Sequence, residues 1–136
     1  MGHSDLSIDN ARKMNIDLLD LDFVVHSNSH LDHTWGLASL VRLFTEAKIE
    51  GTYRKNTSLV AHPDLLLPRW VEGLGETGSF LFLAELSRPF ELTLSREPLW
   101  LPERLVFLGE ILREDDFEAG SPLGRISASS GRRTTL

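Results

Sequence analysis

Residues 28–37 read Asn-Ser-His-Leu-Asp-His-Thr-Trp-Gly-Leu, and this stretch indicates both the fold and the chemistry of the chain. It places two imidazoles and a carboxylate, His30, Asp32 and His33, within four positions, shortly after the apolar run Phe-Val-Val at 23–25. Imidazole nitrogen and carboxylate oxygen are ligands of zinc and of other divalent transition metals. The sequence therefore predicts a metal-binding loop at the carboxyl end of a β-strand.

The loop resembles the His-x-His-x-Asp-His motif of the metallo-β-lactamase superfamily, which it matches at His30, Asp32, His33 and the following Gly36. It departs from the motif at the first position, where Asn28 stands in place of His. Shorter segments resemble one branch of the superfamily, the metal-dependent hydrolases related to dihydropterin ribofuranosyl-aminobenzene phosphate synthases. These segments are residues 2–5, 10–13, 15–18, 61–64, 94–98 and 109–111, so that the resemblance covers residues 2–118.

The resemblance implies an α/β fold, part of an αββα sandwich, in which the motif holds one or two metal ions. Carried over position by position, His30 would serve one ion, and Asp32 and His33 the second. Asn28, at the position of a further His ligand, is compatible with a metal at Asp32 and His33. A bound metal lowers the pKa of water to about 7 and so supplies hydroxide at neutral pH. Asp32 would also orient this metal-bound hydroxide. Zinc is the expected metal, with iron or manganese equally suited to such ligands, and the implied partner is a small-molecule substrate.

Two features predict that metal binding is weak or absent in this chain. An amide oxygen is a poor zinc ligand beside imidazole, although one subclass of metallo-β-lactamases carries Asn at the position of Asn28 and works with a single zinc. Complete members of the superfamily also contain two similar halves and late His ligands that match nothing here. A chain of 136 residues is therefore expected to be a fragment truncated at both ends. We expect a metal-dependent hydrolase-like protein with impaired function; the alternative is a non-catalytic remnant or a partner-dependent fragment.

Composition limits which binding partners and which cellular location are expected for this chain. A net charge of −6 argues against a general nucleic-acid binder. No apolar run approaches the roughly 20 residues that a membrane-spanning helix needs. The chain has no Cys, which excludes disulfides and thiolate ligands. Its first residues lack the pattern of a secretory signal, so a cytoplasmic location is expected.

Hydrophobic patterning predicts a domain over residues 1–117 and a disordered tail over 118–136. Leu37, Leu40, Val41 and Phe44 recur at helical spacing and predict an amphipathic helix. A second helix is predicted over 4–14, and residues 80–86 are left open between helix and strand. Strands are predicted over 20–25, 59–61, 90–94, 99–101 and 104–108, and a glycine-containing loop over 70–79.

Several further residues have two interpretations each. His26 could substitute as a metal ligand, but a packing role at the strand end is favoured. His62 could contact substrate, but capping or packing is favoured, and Glu110 is interpreted as an exposed carboxylate rather than a site residue. The three Trp residues, at positions 35, 70 and 100, are predicted to be core or edge anchors.

Overall fold

The computed structural model describes residues 2–111 and 125–126. Its helices are α1 (Leu6–Lys13), α2 (Leu31–Thr34), α3 (Leu37–Ile49) and α4 (Leu83–Leu86). Its strands are β1 (Phe23–Val25), β2 (Ser58–Ala61), β3 (Arg69–Val71), β4 (Gly75–Glu76), β5 (Glu91–Leu94), β6 (Leu99–Leu101), β7 (Leu105–Phe107) and β8 (Arg125–Ile126). Short 3-10 turns cover Leu18–Asp20, Pro63–Leu66 and Pro102–Arg104. The predicted mixed α/β class is confirmed.

A three-stranded parallel sheet with the order β1-β2-β5 forms the centre of the fold. Val24 lies opposite Leu59, and Leu59 opposite Leu92. Parallel neighbours require crossover connections, and α3 lies in the connection between β1 and β2, while α4 lies in the one between β2 and β5. All three strands consequently end at one edge of the sheet, so that the loops after β1, β2 and β5 meet there.

Helix α3 contributes much of the core beside this sheet. Leu37, Leu40 and Phe44 are fully buried on one face of α3, as the sequence spacing predicts. The Phe44 ring centroid lies 4.9 Å from that of Phe90 and 5.1 Å from that of Tyr53. Burying side chains of this size contributes about 1.5–3 kcal/mol each, which fixes α3 and therefore the loop that precedes it.

The predicted loop over residues 70–79 is wrong in part, because β3 and β4 pair antiparallel there, with Trp70 opposite Glu76. Gly73 and Gly75 have positive φ angles of 79° and 88°, which allow the chain to turn back tightly between the two strands. The glycine-containing sequence of this segment predicted a loop without strand pairing. Residues 80–86, left open, contain the single helical turn α4.

The predicted disordered tail over 118–136 differs from the structure at Arg125–Ile126, which form β8 and pair antiparallel with β3. Backbone pairing with an exposed strand edge fixes these two positions, although their own sequence is too polar to predict a strand. The rest of that segment lies outside the described residues. The boundary between residues 117 and 118 stays a prediction.

One smaller boundary also differs from expectation. The strand predicted over 20–25 begins only at Phe23, because Asp17 accepts a hydrogen bond from the Leu19 N–H at 2.9 Å and begins a 3-10 turn. Helix α1 is confirmed, and Asn15, with a φ of 56°, makes the left-handed turn predicted after it. Within residues 2–111 and 125–126, no helix is long and apolar enough to cross a bilayer.

Candidate functional site

The carboxyl edge of the parallel sheet gathers most of the chemically active side chains. The loop after β1 carries residues 26–33, the loop after β2 carries His62 and Asp64, and Arg96 follows β5. Two open cavities lie beside the first loop. One, of about 290 Å³, is lined by residues 26–29, His62, Asp64, Leu65, Arg69, Gly109 and Ile111. The other, of about 420 Å³, is lined by His3, residues 30–32, Val71, Leu74 and Thr77.

Asn28 shapes the loop through its own side chain. Its Oδ1 accepts a hydrogen bond from the His30 backbone N–H at 3.0 Å, just before α2 begins. The His30 carbonyl in turn accepts from the Thr34 hydroxyl at 3.0 Å. An Asn side chain that bonds to the backbone two residues ahead makes an Asx turn. The amide oxygen, predicted as a metal ligand, is therefore engaged in holding the loop.

Asp32 and His33 form the closest pair among the predicted ligands. Asp32 Oδ2 lies 3.4 Å from His33 Nε2, and both side chains are about half exposed. On the other side of the ring, His33 Nδ1 lies 3.3 Å from the hydroxyl of Ser27. Ser27 also accepts from the Asn28 side-chain amide at 3.4 Å. The imidazole is thus oriented by Ser27 with its Nε2 towards the carboxylate.

The four predicted metal ligands do not converge on one point. Asn28 lines the smaller cavity, whereas His30 and Asp32 line the larger one. Across the part of the chain that the structure describes, no group of three His, Asp or Glu side chains is placed to hold a metal ion. The ligand assignment stays a prediction, and Asp32 with His33 is the part of it that the geometry brings together.

His26 is packed at the strand end, as the favoured interpretation predicts, with only 4% of its surface exposed. Burial lowers the pKa of His26 from 6.5 to about 4, opposed by a hydrogen bond to the Asn28 backbone. Its Nε2 has no hydrogen-bond partner among the described residues. His26 is therefore a neutral, buried imidazole at neutral pH, and protonating it would place an unpaired charge in the protein interior.

A charged network fixes the loops that follow β2 and β5. Arg96 binds both carboxylate oxygens of Asp64, at 2.8 and 2.9 Å, and its other nitrogen lies 3.2 Å from Glu110. A single Arg96 nitrogen, Nη2, contacts both Asp64 oxygens, and charge-assisted hydrogen bonds of this kind are stronger than neutral ones. These contacts raise the pKa of Arg96, chiefly through the hydrogen bonds with Asp64. Glu110, predicted as an exposed carboxylate, is half exposed and paired.

His62 belongs to this network as a capping residue, which the favoured interpretation predicts. Its Nδ1 accepts a hydrogen bond from the Asp64 backbone N–H at 3.1 Å. The proton of a neutral imidazole must then sit on Nε2. Nε2 lies 3.3 Å from an Arg96 nitrogen and 3.8 Å from Glu110. Because Arg96 can only donate, the favourable partner of the Nε2 proton is the Glu110 carboxylate.

Arg69, at the start of β3, is a site residue that sequence reasoning missed. Its Nε donates a hydrogen bond to the hydroxyl of Ser29, a residue only 2% exposed. Burial lowers the pKa of the Arg69 guanidinium, and the charge of Asp64 partly offsets that effect. No local motif surrounds Arg69. It reaches the site through pairing of β3, which a single sequence does not reveal.

The three Trp residues differ from one another. Trp35 is half-buried and stacks on Phe80, with ring centroids 5.1 Å apart, while His3 meets it edge-on at 5.4 Å. This agrees with the predicted anchor role. Trp70 and Trp100 are not core residues, because they are 54% and 74% exposed, so the core alternative is wrong for both. Both lie on short antiparallel hairpins whose outer faces are uncovered among the described residues.

Comparisons with protein-family models, with curated proteins and with solved structures found no match to this chain.

Proposed function

We propose that this chain is a metal-dependent hydrolase-like protein of the metallo-β-lactamase type that retains one half of a metal site. The observation that supports the proposal is the juxtaposition of Asp32 Oδ2 and His33 Nε2, 3.4 Å apart at the carboxyl edge of a parallel sheet. Two ligand atoms on one tetrahedral zinc, each bonded at about 2.1 Å, are separated by roughly the same distance. The separation of these two atoms is therefore the one expected for two ligands of a single divalent cation.

The surroundings of His33 support the same interpretation. A metal-binding imidazole usually engages its second nitrogen with an oxygen that fixes the ring orientation. Ser27 occupies that position, 3.3 Å from Nδ1. Without a metal, a proton on Nε2 would occupy the same place between these two atoms. Metal and proton therefore compete for one place, so metal binding should weaken as the pH falls.

Two protein ligands are fewer than the three that a catalytic zinc normally has. Asn28 is not counted as a third, because its oxygen accepts from the His30 N–H and its side chain lines a different cavity from Asp32. When bound, a metal here would supply an acidified water; Asp32 and His33 would hold the ion and Ser27 would orient His33. The donor set does not fit a complete catalytic centre, and no reaction step is assigned to it.

The second candidate function is a non-catalytic or partner-dependent protein with no enzymatic activity. It is favoured because other polar side chains at the same edge of the sheet already make structural contacts. Asp64 is neutralised by Arg96, His62 caps a turn, and Asn28 caps the loop. A protein of this kind would keep Asp32 and His33 only as a surface ion pair, which is worth at most about 1 kcal/mol.

Calorimetric titration with zinc distinguishes the two candidates. We expect weak binding, with less than one equivalent of metal retained after dialysis. Asp32→Ala and His33→Ala should each abolish the binding isotherm, whereas Asn28→Ala should leave zinc affinity within about threefold because the Asn28 oxygen is bonded to the His30 N–H. An isotherm that survives in Asp32→Ala, or that is lost only in Asn28→Ala, would refute the proposed half-site. No binding by the unaltered chain would favour the non-catalytic candidate.

A further inference from the structure

The smaller cavity beside the sheet edge contains an arginine with unused hydrogen-bonding capacity. Arg69 lines this cavity, and only its Nε is engaged, by the Ser29 hydroxyl. Within the described residues, neither terminal guanidinium nitrogen of Arg69 has a hydrogen-bond partner. Guanidinium groups present their terminal N–H groups as a planar fork, which matches the two oxygens of a carboxylate. The fork is available to a group that enters the cavity.

The carboxylates near the cavity are in contact with Arg96 rather than with Arg69. Asp64 also lines the cavity, but both of its oxygens are held by Arg96. No carboxylate among the described residues pairs with Arg69 directly, and partial burial disfavours the charge of Arg69 at this place. A negatively charged ligand would pair with it directly.

The other residues that line the cavity indicate the chemistry of the rest of the ligand. Ser27, Asn28 and Ser29 supply polar groups on one side, while Leu65 and Ile111 supply apolar surface on another. A volume of about 290 Å³ accommodates a small molecule rather than a peptide chain. Apolar surface beside a cationic fork fits the hydrocarbon body and the acidic head of an organic acid.

We propose that this cavity binds the carboxylate of a small organic acid through the fork of Arg69. The Ser29 hydroxyl fixes the guanidinium, so that its terminal nitrogens lie ready to form a charge-assisted, two-pronged hydrogen bond. Leu65 and Ile111 contact the apolar part of the acid. The site is separate from the Asp32–His33 pair and needs no metal, so it does not rest on the proposed function.

Binding of benzoate to the metal-free chain, followed by amide NMR shifts at constant ionic strength, tests the site. Benzamide is the ligand control because it has nearly the same shape without the charge. Shifts should concentrate in residues 26–29 and 62–71, and benzoate should bind at least about tenfold more tightly than benzamide. Equal binding of the two, or tighter binding of inorganic phosphate than of benzoate, would overturn the proposal.

Variants locate the interaction. Arg69→Gln should weaken benzoate binding by about tenfold or more, because it removes the charge and the fork. Arg54→Gln is the matched control, since Arg54 is exposed and lies before β2, at the opposite edge of the sheet; its affinity should stay within about twofold of the parent. Arg69→Lys keeps the charge without the fork and should retain part of the preference for benzoate. Loss of that preference in Arg54→Gln, or its full retention in a folded Arg69→Gln, would contradict the assignment to Arg69.

Discussion

Lowering the pH should destabilise this protein through one buried imidazole, His26. The folded state holds the pKa of His26 at about 4, because burial penalises the imidazolium, while the ordinary value is 6.5. Between these two values the unfolded chain binds a proton and the folded chain does not. The free energy of unfolding therefore rises with pH through this window. The stabilisation is complete above the ordinary pKa and is lost as the pH falls towards the lowered one.

The size of the effect follows from the difference between the two pKa values. Each whole pKa step is worth about 1.4 kcal/mol, so the full window corresponds to about 3 kcal/mol. Between pH 7 and pH 4.5, most of that window, the contribution should fall by about 2 kcal/mol. For a domain whose total stability is about 5–15 kcal/mol, a loss of this size is readily measured.

Urea unfolding at pH 7 and at pH 4.5 measures this loss, with His26→Gln as the variant that cannot titrate. The parent chain should lose about 2 kcal/mol more than His26→Gln between the two pH values, and carboxylates common to both cancel in the difference. His3→Gln is the matched control, because His3 is exposed and should keep the acid sensitivity of the parent. Equal acid losses in the parent and in His26→Gln would refute the assignment of this effect to His26.

Three further predictions concern the capping role of Asn28, the close approach at Gly109 and the activity of an Asn28→His variant. Asn28→Ala should lower the free energy of unfolding by about 1 kcal/mol because the cap on the His30 N–H is lost, whereas Asn28→Asp keeps the acceptor and should stay within about 0.5 kcal/mol of the parent; equal urea midpoints for the two variants would contradict the capping role. Gly109→Ala should cost more than about 2 kcal/mol, because Gly109 has a φ of 73° and an added Cβ would overlap the Arg96 backbone. Gly51→Ala, with a φ of 69° and open space around it, should cost only the backbone strain of about 1–2 kcal/mol, so equal losses at the two glycines would argue against the close approach at Arg96. Asn28→His should yield no metal-dependent hydrolysis of a phosphodiester or lactone above the metal-only blank, and turnover that disappears in the Asn28→His, Asp32→Ala double variant would contradict this.

Local periodicity predicted the elements whose burial follows from their own sequence. The spacing of Leu37, Leu40 and Phe44 predicts a helix with one buried face, and the structure confirms it. The apolar runs at 23–25 and 59–61 likewise became the neighbouring strands β1 and β2. In each case a short stretch of sequence is enough for the prediction, because the apolar residues that become buried lie within a single helix or strand.

Elements that depend on distant partners could not be predicted in the same way. Glycines at 73 and 75 are equally compatible with an open loop and with a hairpin turn, and only the pairing of β3 with β4 decides between them. Trp70 and Trp100 are large and apolar, yet their exposure depends on whether another element covers the hairpin. Sequence alone contains no such information for a single chain.

The same distinction applies to the site. The loop after β1 was predicted from its composition, since its chemically active residues are adjacent in sequence. Arg69 and Ser29 are 40 positions apart, and Arg96 and Asp64 are 32 apart, so no local window contains either pair. The cationic part of the site was therefore missed, although it accounts for much of the electrostatics at this edge of the sheet.

Backbone direction explains why a dense run of potential ligands does not form one centre. His30 has extended dihedral angles and α2 begins immediately after it, so the chain changes direction at this residue. Residues 26–29, before the change, line the smaller cavity, whereas residues 30–32 line the larger one. Spacing in sequence brings side chains near each other, but convergence on one ion also needs their Cα–Cβ vectors to point to the same side of the backbone. The loop thus divides its polar groups between the Asp32–His33 pair and the cavity that Arg69 lines, and Ser27 contacts both, because it lines the cavity and lies 3.3 Å from His33 Nδ1.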